Sequence, residues 1–432
     1  MNLRRQLERL RSGRSGAEAG SGATQAEATS DPAGRDSLLT DLRQRMNAIL
    51  ERPRLVAKPM PVEPGLTSEN LGELGFTREE SSRGAYWRRR VQISEAQCVG
   101  DMPVTATAGV DSAMLSWLAL DPKLGAQDFG RVLFLDTETT GLGGAGTFVF
   151  LLGMMYFEAG AAWLDQVLLA GPEQESGLLD LLAERVAVSE VLVSFNGKSF
   201  DWPLLASRFV MNGIRPPLAP PHLDLLHVAR RIHGARLERR NLKSLESYVL
   251  GYQREEDIDG AEVAERYLAY LRSRDAAALA QVVDHNRWDV LSMAALVALY
   301  GQLEPRLPAL DLVGVARTLL RARQIEVALR VTERALELGA GADALRVRAR
   351  IHRAQGDHRR QCDDLERVNA DLDDALVRLE LAKLYEHRFG LHERALALLE
   401  LGVGEPVERA LHRRERLLRK LAKRPRSADL EG

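Results

Sequence analysis

Between residues 131 and 212, short apolar runs alternate with helical stretches, and this alternation constrains the fold more than any other feature. RVLFLD and TFVFLLGMMYF are rich in β-branched and aromatic residues, and AWLDQVLLA follows a glycine turn at Gly160. These runs predict three consecutive strands arranged as a meander. A helix over 176–188, the apolar run VLVSF and a helix over 201–212 follow. The pattern predicts an α/β domain in which helices flank a mixed sheet.

The residues before this segment have a different composition. Residues 1–35 are predicted to form a disordered tail, because 12–35 are mostly Gly, Ser, Ala, Thr and Asp with little to bury. Residues 36–130 predict a short helix, a Pro-rich linker and a small extension. In that extension AYWRRRVQI alternates like a strand, and AMLSWLAL has helical spacing. We therefore place the α/β domain at 131–305.

The last third of the chain, residues 308–424, predicts helices throughout. Gly356 and Gly390 lie 34 residues apart, each between two helical stretches, and 34 residues is the period of tetratricopeptide arrays. The signature aromatic residues are mostly missing apart from Tyr385, so an irregular helical bundle is the alternative. Such a region would offer a surface for a protein partner.

The basic helix ALHRRERLLRKLAKR is predicted to close this helical region. Its apolar residues are Leu411, Leu417, Leu418 and Leu421. Contact with nucleic acid or a partner protein is the alternative for this helix.

Charge and cysteine content narrow the class of protein. The 59 Lys and Arg residues balance 61 Asp and Glu residues, so any nucleic-acid surface must be a local patch. Cys98 and Cys362 fit neither a metal knuckle nor a disulfide framework. No signal-peptide core follows the charged N-terminus, and no apolar run of about 18 residues occurs. We expect a soluble, cytoplasmic protein without a membrane partner.

The stretch GLGGAG, residues 141–146, matches the spelling of a dinucleotide-binding loop. In that motif the glycines leave a strand directly and open a helix. Here Asp136 to Thr140 separate the apolar run from Gly141, and a strand-like run follows. The glycines are better interpreted as a tight, flexible turn between two antiparallel strands.

Acidic residues carry the stronger signal. Asp136 and Glu138 stand at i and i+2 at the end of a strand and point to one face, although such residues also cap turns. Asp201 begins a helix after VLVSF, where it could equally be an N-cap. His285 and Asp289 stand at i and i+4 on one helix face, with a solvated pair as the alternative.

In this order the acidic motifs resemble the DEDD exonuclease superfamily on the ribonuclease-H-like fold. More narrowly, six stretches between about residues 131 and 300 resemble the YprB-type ribonuclease-H-like domain family: LFLDTETTGL, GGAGT, FNGKSFD, NLKSLESYVLGY, DIDGAEVAERYLAYL and HNRWDVLSMAAL. The resemblance implies a 3′–5′ exonuclease. It also implies a two-metal site whose ligands are Asp136, Glu138, Asp201 and Asp289.

The resemblance places His285 at the position of the general base. Members that use a catalytic histidine usually have it five residues before the last Asp, whereas His285 precedes Asp289 by four. Four is the spacing of members that use tyrosine. With an unperturbed pKa near 6.5, a histidine here could accept a proton from water at neutral pH.

The chemistry of these residues favours hard cations. Carboxylates about 5 Å apart repel each other by roughly 3 kcal/mol at an effective dielectric of about 20, so the cluster must protonate or bind cations. Ligands that are all oxygen suit Mg²⁺ or Mn²⁺ rather than Zn²⁺. Two such ions could activate water and neutralise a leaving 3′ oxygen.

Substrate contacts are predicted from a basic segment and from the loop before Asp201. Residues 228–244 contain six cations that could contact phosphates if they share a face, or form a solvated surface instead: Arg230, Arg231, Arg236, Arg239, Arg240 and Lys243. The predicted substrate-binding residues are Thr137, Asn196, Lys198, Arg240 and Lys243. For Asn196 and Lys198, packing or turn roles are equally open. Asp224 could support the acids or simply satisfy a turn, and EEDID (255–259) is expected to be a solvated loop.

Taken together, these features predict a metal-dependent nuclease that acts on nucleic acid, with DNA or RNA left open. The alternative is a catalytically silent protein that binds nucleic acid or serves as a scaffold, with the helical repeats recruiting partners. The intact acids favour the enzyme.

Overall fold

The computed structural model describes residues 69–141, 147–255, 257–302 and 306–423. The predicted tail, the short helix predicted after it and the Pro-rich linker lie outside the described residues. The strands are β1 Thr77–Ser81, β2 Gly84–Ile93, β3 Cys98–Val99, β4 Met102–Pro103, β5 Val132–Thr139, β6 Val149–Glu158, β7 Ala161–Leu168, β8 Val191–Ser194 and β9 His222–Asp224.

Helices flank and follow these strands. As far as β9 they are α1 Glu69–Glu73, α2 Ser112–Ala119, α3 Glu175–Val188 and α4 Asp201–Met211. After β9 come α5 Leu225–Ile232, α6 Leu242–Leu245, α7 Gly260–Ser273 and α8 Ala280–Tyr300. The C-terminal helices are α9 Ala309–Arg321, α10 Ile325–Glu337, α11 Gly341–Gln355, α12 His358–Asp371, α13 Ala375–Leu384, α14 His392–Glu400 and α15 Val407–Ala422.

In the described ranges seven strands form one mixed sheet in the order β1-β2-β7-β6-β5-β8-β9. Strands β5, β6 and β7 form the predicted antiparallel meander, and β8 and β9 extend it in parallel. The predicted α/β class with a ribonuclease-H-like mixed sheet, followed by an all-helical region, is confirmed. The run after GLGGAG is strand β6, as predicted. The turn itself, at 142–146, lies outside the described residues.

Both faces of the central strand β5 are buried, which explains its wholly apolar start. Leu133 and Leu135 pack against α3 and α4 on one side of the sheet. Val132 and Phe134 pack against α5 and α8 on the other side. Because side chains alternate along a strand, residues 136 and 138 face the same side as Phe134, toward α8.

The strand predicted in AYWRRRVQI is β2, and it pairs with β7 in the same sheet. Arg88 on β2 ion-pairs with the buried Asp165 of β7 at 2.6 Å. The sheet therefore extends across the boundary that we predict near residue 130. The predicted domain limits themselves remain predictions.

The helical region shares the core of the sheet domain. Leu312, Val315 and Leu319 of α9 belong to the apolar cluster that contains Val290 of α8. Helix α11 contributes Ala344 and Val347 to that cluster, while its Leu345 and Ala349 belong to a second cluster formed with α12–α15. The tetratricopeptide character of these helices stays a prediction.

The last helix, α15, packs less of its apolar surface than its sequence predicts. Leu417 is fully buried, whereas Leu411 and Leu418 are 54% and 40% exposed. Much of its attachment is ionic: Arg413, Arg416 and Lys420 contact Glu386 at 3.1, 2.5 and 3.0 Å. The prediction that all four leucines close the helical region is therefore wrong for Leu411 and Leu418. A separate observation is that none of the helices in the described ranges is long and apolar enough to cross a membrane.

Candidate active site

Strand β5 presents Asp136 and Glu138 to helix α8, and both are partly buried. Asp136 accepts a hydrogen bond of 2.8 Å from Asn286 Nδ2. The pKa of Asp136 is raised well above its ordinary value by burial, and then by the nearby charges of Asp289, Glu138 and Asp201. The hydrogen bond from Asn286 opposes this rise only in part.

The pKa of Glu138 is affected by burial and by the same neighbouring charges. Its pKa is raised to about 7, chiefly by burial and with contributions from Asp289 and Asp201, while His285 and Arg254 act in the opposite direction. A carboxyl group with this pKa is only partly ionised at neutral pH. The site is therefore short of positive charge.

Asp201 is the first residue of α4, and the N-cap position is occupied by Phe200, which makes no capping hydrogen bond. The N-cap alternative for Asp201 is thus wrong. Its carboxylate instead accepts a hydrogen bond from the Thr137 hydroxyl. Burial raises the pKa of Asp201 to about 6, with Asp224 and Asp289 contributing in the same direction and the Thr137 hydrogen bond opposing it.

Helix α8 supplies His285 and Asp289 from the face that meets β5. His285 Nε2 lies 3.8 Å from Asp289 Oδ2, and His285 Nδ1 lies 2.6 Å from Asp257 Oδ1. Burial by itself would lower the pKa of His285, but Asp289, Glu138 and Asp257 outweigh it, so the pKa is raised. The two residues are part of a partly buried network of ion pairs, so the solvated-pair alternative is wrong.

Arg254 connects this network to the protein framework. Its guanidinium is nearly buried and forms ion pairs with Glu246 and Asp289. It also donates to the backbone oxygen of His285 at 3.3 Å. Asp257 is likewise held, by His285 and by Lys243 Nζ at 2.9 Å. The expectation that 255–259 form a solvated loop is therefore wrong for Asp257.

The loop after β8 is anchored by Asp224. The buried Asp224 accepts hydrogen bonds from the backbone N–H groups of Asn196, Lys198 and Leu226 at 2.8, 3.2 and 3.1 Å. Asn196 has a positive φ of 70°, which this anchoring stabilises. Asp224 thus satisfies a turn and caps α5. The side chain of Lys198 is exposed, and that of Asn196 is partly exposed.

The six cations of the basic segment do not share one surface. Arg231 donates to Leu118 O at 3.1 Å, and Arg236 pairs with the buried Asp311 at 2.6 Å. Lys243 is engaged by Asp257. The other three cations, Arg230, Arg239 and Arg240, line one pocket beside Asn196.

The structure brings the predicted acids together from β5, α4 and α8: Asp201 of α4 accepts a hydrogen bond from Thr137 of β5, and Asp136 of β5 accepts one from Asn286 of α8. Their oxygen-only donor set fits a hard divalent cation. Over the described ranges, no group of three or more His, Cys, Asp or Glu side chains lies close enough to share one ion. In this structure Asp136, Asp201 and Asp289 each accept a hydrogen bond from a protein side chain, namely Asn286, Thr137 and Arg254.

Several residues of the site carry no clear signal in the sequence. Asn286 lies inside the HNRWD stretch, next to His285, and could have been noticed there. Arg254 and Glu246 lie 35 and 43 positions from Asp289; Glu246 lies inside the NLKSLESYVLGY stretch, and Arg254 lies just after it. Only the fold of the chain brings them to α8.

Sequence comparisons found two matches. Residues 133–300 match the RNase_H_2 family, described as RNase_H superfamily, and all four acids lie within the matched residues. In sequence, the chain is also similar to the Bacillus subtilis (strain 168) protein named "Uncharacterized protein YprB", to which it is 36% identical over 182 residues. That match covers 41% of this chain and 44% of the relative, so it spans less than half of that protein.

A comparison of structures also gave a match. The family B DNA polymerase from Pyrobaculum calidifontis is 18% identical, with a TM-score of 0.32, over 48% of this chain and 29% of that one.

Proposed function

We propose that this protein is a metal-dependent nuclease that hydrolyses phosphodiester bonds in DNA or RNA, as a 3′–5′ exonuclease. One observation carries the proposal. Three elements that are distant in the sequence bring Asp136, Glu138, Asp201 and Asp289 into one electrostatic field beside His285. Four mutually repelling carboxylates in one place destabilise the fold unless cations neutralise them, and this cost favours a functional role for the cluster.

Asp136, Glu138, Asp201 and Asp289 would hold two Mg²⁺ or Mn²⁺ ions. When bound, such ions lower the pKa of a coordinated water and neutralise charge on the scissile phosphate. The raised pKa values of three of the acids support this assignment, because each of these groups would become fully ionised beside a cation.

His285 is the proposed general base. The Asp257 carboxylate at its Nδ1 requires the hydrogen to be on that nitrogen, which leaves the lone pair on Nε2. Nε2 is the nitrogen on the Asp289 side of the ring. His285 can therefore accept a proton from the attacking water while Asp257 stabilises the resulting imidazolium. The Asp257 contact that orients the His285 ring is present, although the spacing between His285 and Asp289 differs from the usual five residues.

Other parts of the proposal rest on the sequence. The motif resemblance supplies the 3′ end as the starting point, and Thr137, Asn196, Lys198, Arg240 and Lys243 remain the proposed substrate-binding residues. The helical region is proposed to be tetratricopeptide-like and to receive a protein partner. We place the protein in the cytoplasm.

The proposal is tested with end-labelled DNA and RNA oligonucleotides and Mn²⁺, Mg²⁺ or EDTA. We expect a metal-dependent ladder that shortens from the 3′ end. Asp136→Asn should lower the rate by at least about 100-fold, because losing a ligand costs more than losing a residue that supports one.

Asp284→Asn is the control, because Asp284 is an exposed acid on α8 beside His285, 67% accessible and only loosely paired. Its rate should equal that of the wild type. If purified protein releases no nucleotide from any DNA or RNA with either metal, the nuclease assignment fails.

A further inference from the structure

A pocket of about 470 Å³ lies between the loop after β8, helix α5 and the segment that leads into α6. Phe195 and Leu226 provide its apolar lining, and Arg230, Arg239 and Arg240 provide three guanidinium groups. A volume of this size lies within the range of small-molecule sites. An apolar wall combined with several cations suits a ligand that has a flat ring and a phosphate.

The charge of this pocket is not compensated by the protein. Arg230 and Arg239 are exposed, and neither makes an ion pair or side-chain hydrogen bond within the described part of the chain. Arg240 is held by the backbone oxygen of Leu237, which leaves its charge unpaired. Carboxylates are absent from the described residues that line the pocket. This differs from Arg236 and Lys243 of the same segment, which pair with Asp311 and Asp257.

The pocket adjoins the acidic cluster through one short loop. Asn196 lines the pocket, and the next residue, Gly197, lies against the acid: a Cβ built on Gly197 would stand 3.1 Å from Asp201 Oδ2. Asp224 fixes this loop through the N–H groups of Asn196 and Lys198. A strand that reached Asp201 would therefore have a neighbouring nucleotide within range of the arginines.

We propose that this pocket binds one nucleotide of the substrate strand, with its phosphate on Arg230, Arg239 and Arg240 and its base against Phe195. This proposal rests on the proposed nuclease function. It adds to that function a preformed substrate-binding subsite outside the acidic cluster. Guanidinium groups bind phosphate oxygens through paired hydrogen bonds, and aromatic rings stack on any base. The subsite would therefore hold the strand without reading its sequence.

The test measures binding of fluorescent 12-nucleotide DNA and RNA strands by anisotropy in EDTA, where cleavage does not interfere. We expect the double variant Arg230→Gln/Arg239→Gln to bind at least about tenfold more weakly. The slope of log K against log salt should shrink by about 1.4, because each phosphate that an arginine neutralises on a single strand contributes about 0.7. Arg230→Lys/Arg239→Lys should keep the slope but recover only part of the affinity, because lysine lacks the paired donors.

The matched control is Arg359→Gln/Arg367→Gln, which removes the same charge from exposed positions on α12. The inference is overturned if the pocket and control variants bind alike, or if the wild type binds neither strand. Failure of the nuclease function is a separate result, because it is measured as absent cleavage with Mn²⁺.

Competition experiments distinguish binding of a phosphate in a nucleic-acid strand from binding of a free phosphate or nucleotide. Inorganic phosphate and a nucleoside monophosphate should compete weakly, because they offer one phosphate without the flanking strand. If the double variant loses affinity for the monophosphate alone, and its oligonucleotide binding is unchanged, the pocket takes free nucleotide and the substrate-strand assignment is wrong.

Discussion

The ring of His285 is held at Nδ1, and this contact determines what the ring can do. Nδ1 meets Asp257 at 2.6 Å, and Asp257 in turn meets Lys243 Nζ at 2.9 Å. These cationic partners and Arg254 lower the pKa of Asp257 despite its burial, so the carboxylate is ionised at neutral pH. A fixed negative charge behind the ring raises the pKa of the imidazole and orients it.

We expect Asp257→Asn to lower the pKa of His285. The negative charge that favours the imidazolium is removed, while the asparagine oxygen can still accept the Nδ1 hydrogen. The titration midpoint of His285 should therefore move to lower pH, which NMR of the imidazole resonances in metal-free protein would measure. The cleavage rate should fall about 10- to 100-fold, within the range seen when a supporting residue is removed.

Asp259→Asn, two residues further along the same loop, is the control for this change. Asp259 is exposed and makes no capping hydrogen bond, so the His285 midpoint should not move. An unchanged midpoint in Asp257→Asn as well would show that the carboxylate does not set the charge of the ring.

At the scale of elements, the site depends on how closely α8 approaches β6. Gly153 pairs with Asp136 across the sheet, and a Cβ added there would stand 2.3 Å from Asn286 Oδ1. Asn286 donates to Asp136 and accepts from Gln166 of β7 at 3.0 Å. The glycine is needed for space, so that the asparagine of α8 can lie directly over the strand pair.

Gly153→Ala is therefore expected to push α8 away from the sheet. Such overpacking typically lowers the free energy of unfolding by about 1–3 kcal/mol, which denaturant titration would measure. Metal-dependent cleavage should fall as well, because Asp136 loses its alignment with Asp289. Gly109→Ala is the control, since a Cβ at Gly109 meets nothing within 4 Å. Equal stability and cleavage in the two variants would show that the spacing between α8 and β6 is adaptable.

These contacts indicate which parts of the site the sequence can predict. Asp136 and Glu138 follow from strand alternation, and His285 with Asp289 from helical spacing, because both periods act over a few residues. The link from Asn286 to Asp136 joins residues 150 positions apart, and it depends on the depth at which α8 meets the sheet. No local period encodes that depth. The predicted packing of Leu411 and Leu418 on α15 is wrong for a related reason. An amphipathic pattern marks the apolar face of a helix but does not reveal whether a neighbouring element covers that face.

At the scale of the whole molecule, the helical region is joined to the ribonuclease-H-like domain through a buried polar cluster. Asp311 of α9 lies 3.0 Å from His233 Nδ1 and 2.6 Å from Arg236, and His233 Nε2 lies 2.7 Å from the Tyr300 hydroxyl. Beside this cluster, a Cβ on Gly314 would stand 2.1 Å from the backbone oxygen of Ile232. Helices α9 and α5 therefore touch at the level of their backbones.

Because the apolar core is also continuous across this contact, the described parts should unfold together. Asp311→Ala is expected to lower the free energy of unfolding by about 3–5 kcal/mol, since it leaves Arg236 facing a buried site without its partner. All five tryptophans precede residue 308, so their fluorescence reports on the sheet domain, whereas far-ultraviolet circular dichroism also includes α9–α15. The two signals should shift by the same amount.

Asp343→Ala is the control. It removes an exposed acid of α11 whose contact with Arg346 is long, at 3.7 Å, and it should lower the free energy of unfolding by less than about 1 kcal/mol. If Asp311→Ala shifts circular dichroism while the tryptophan transition stays in place, the helices fold independently of the sheet, and the shared core does not couple them.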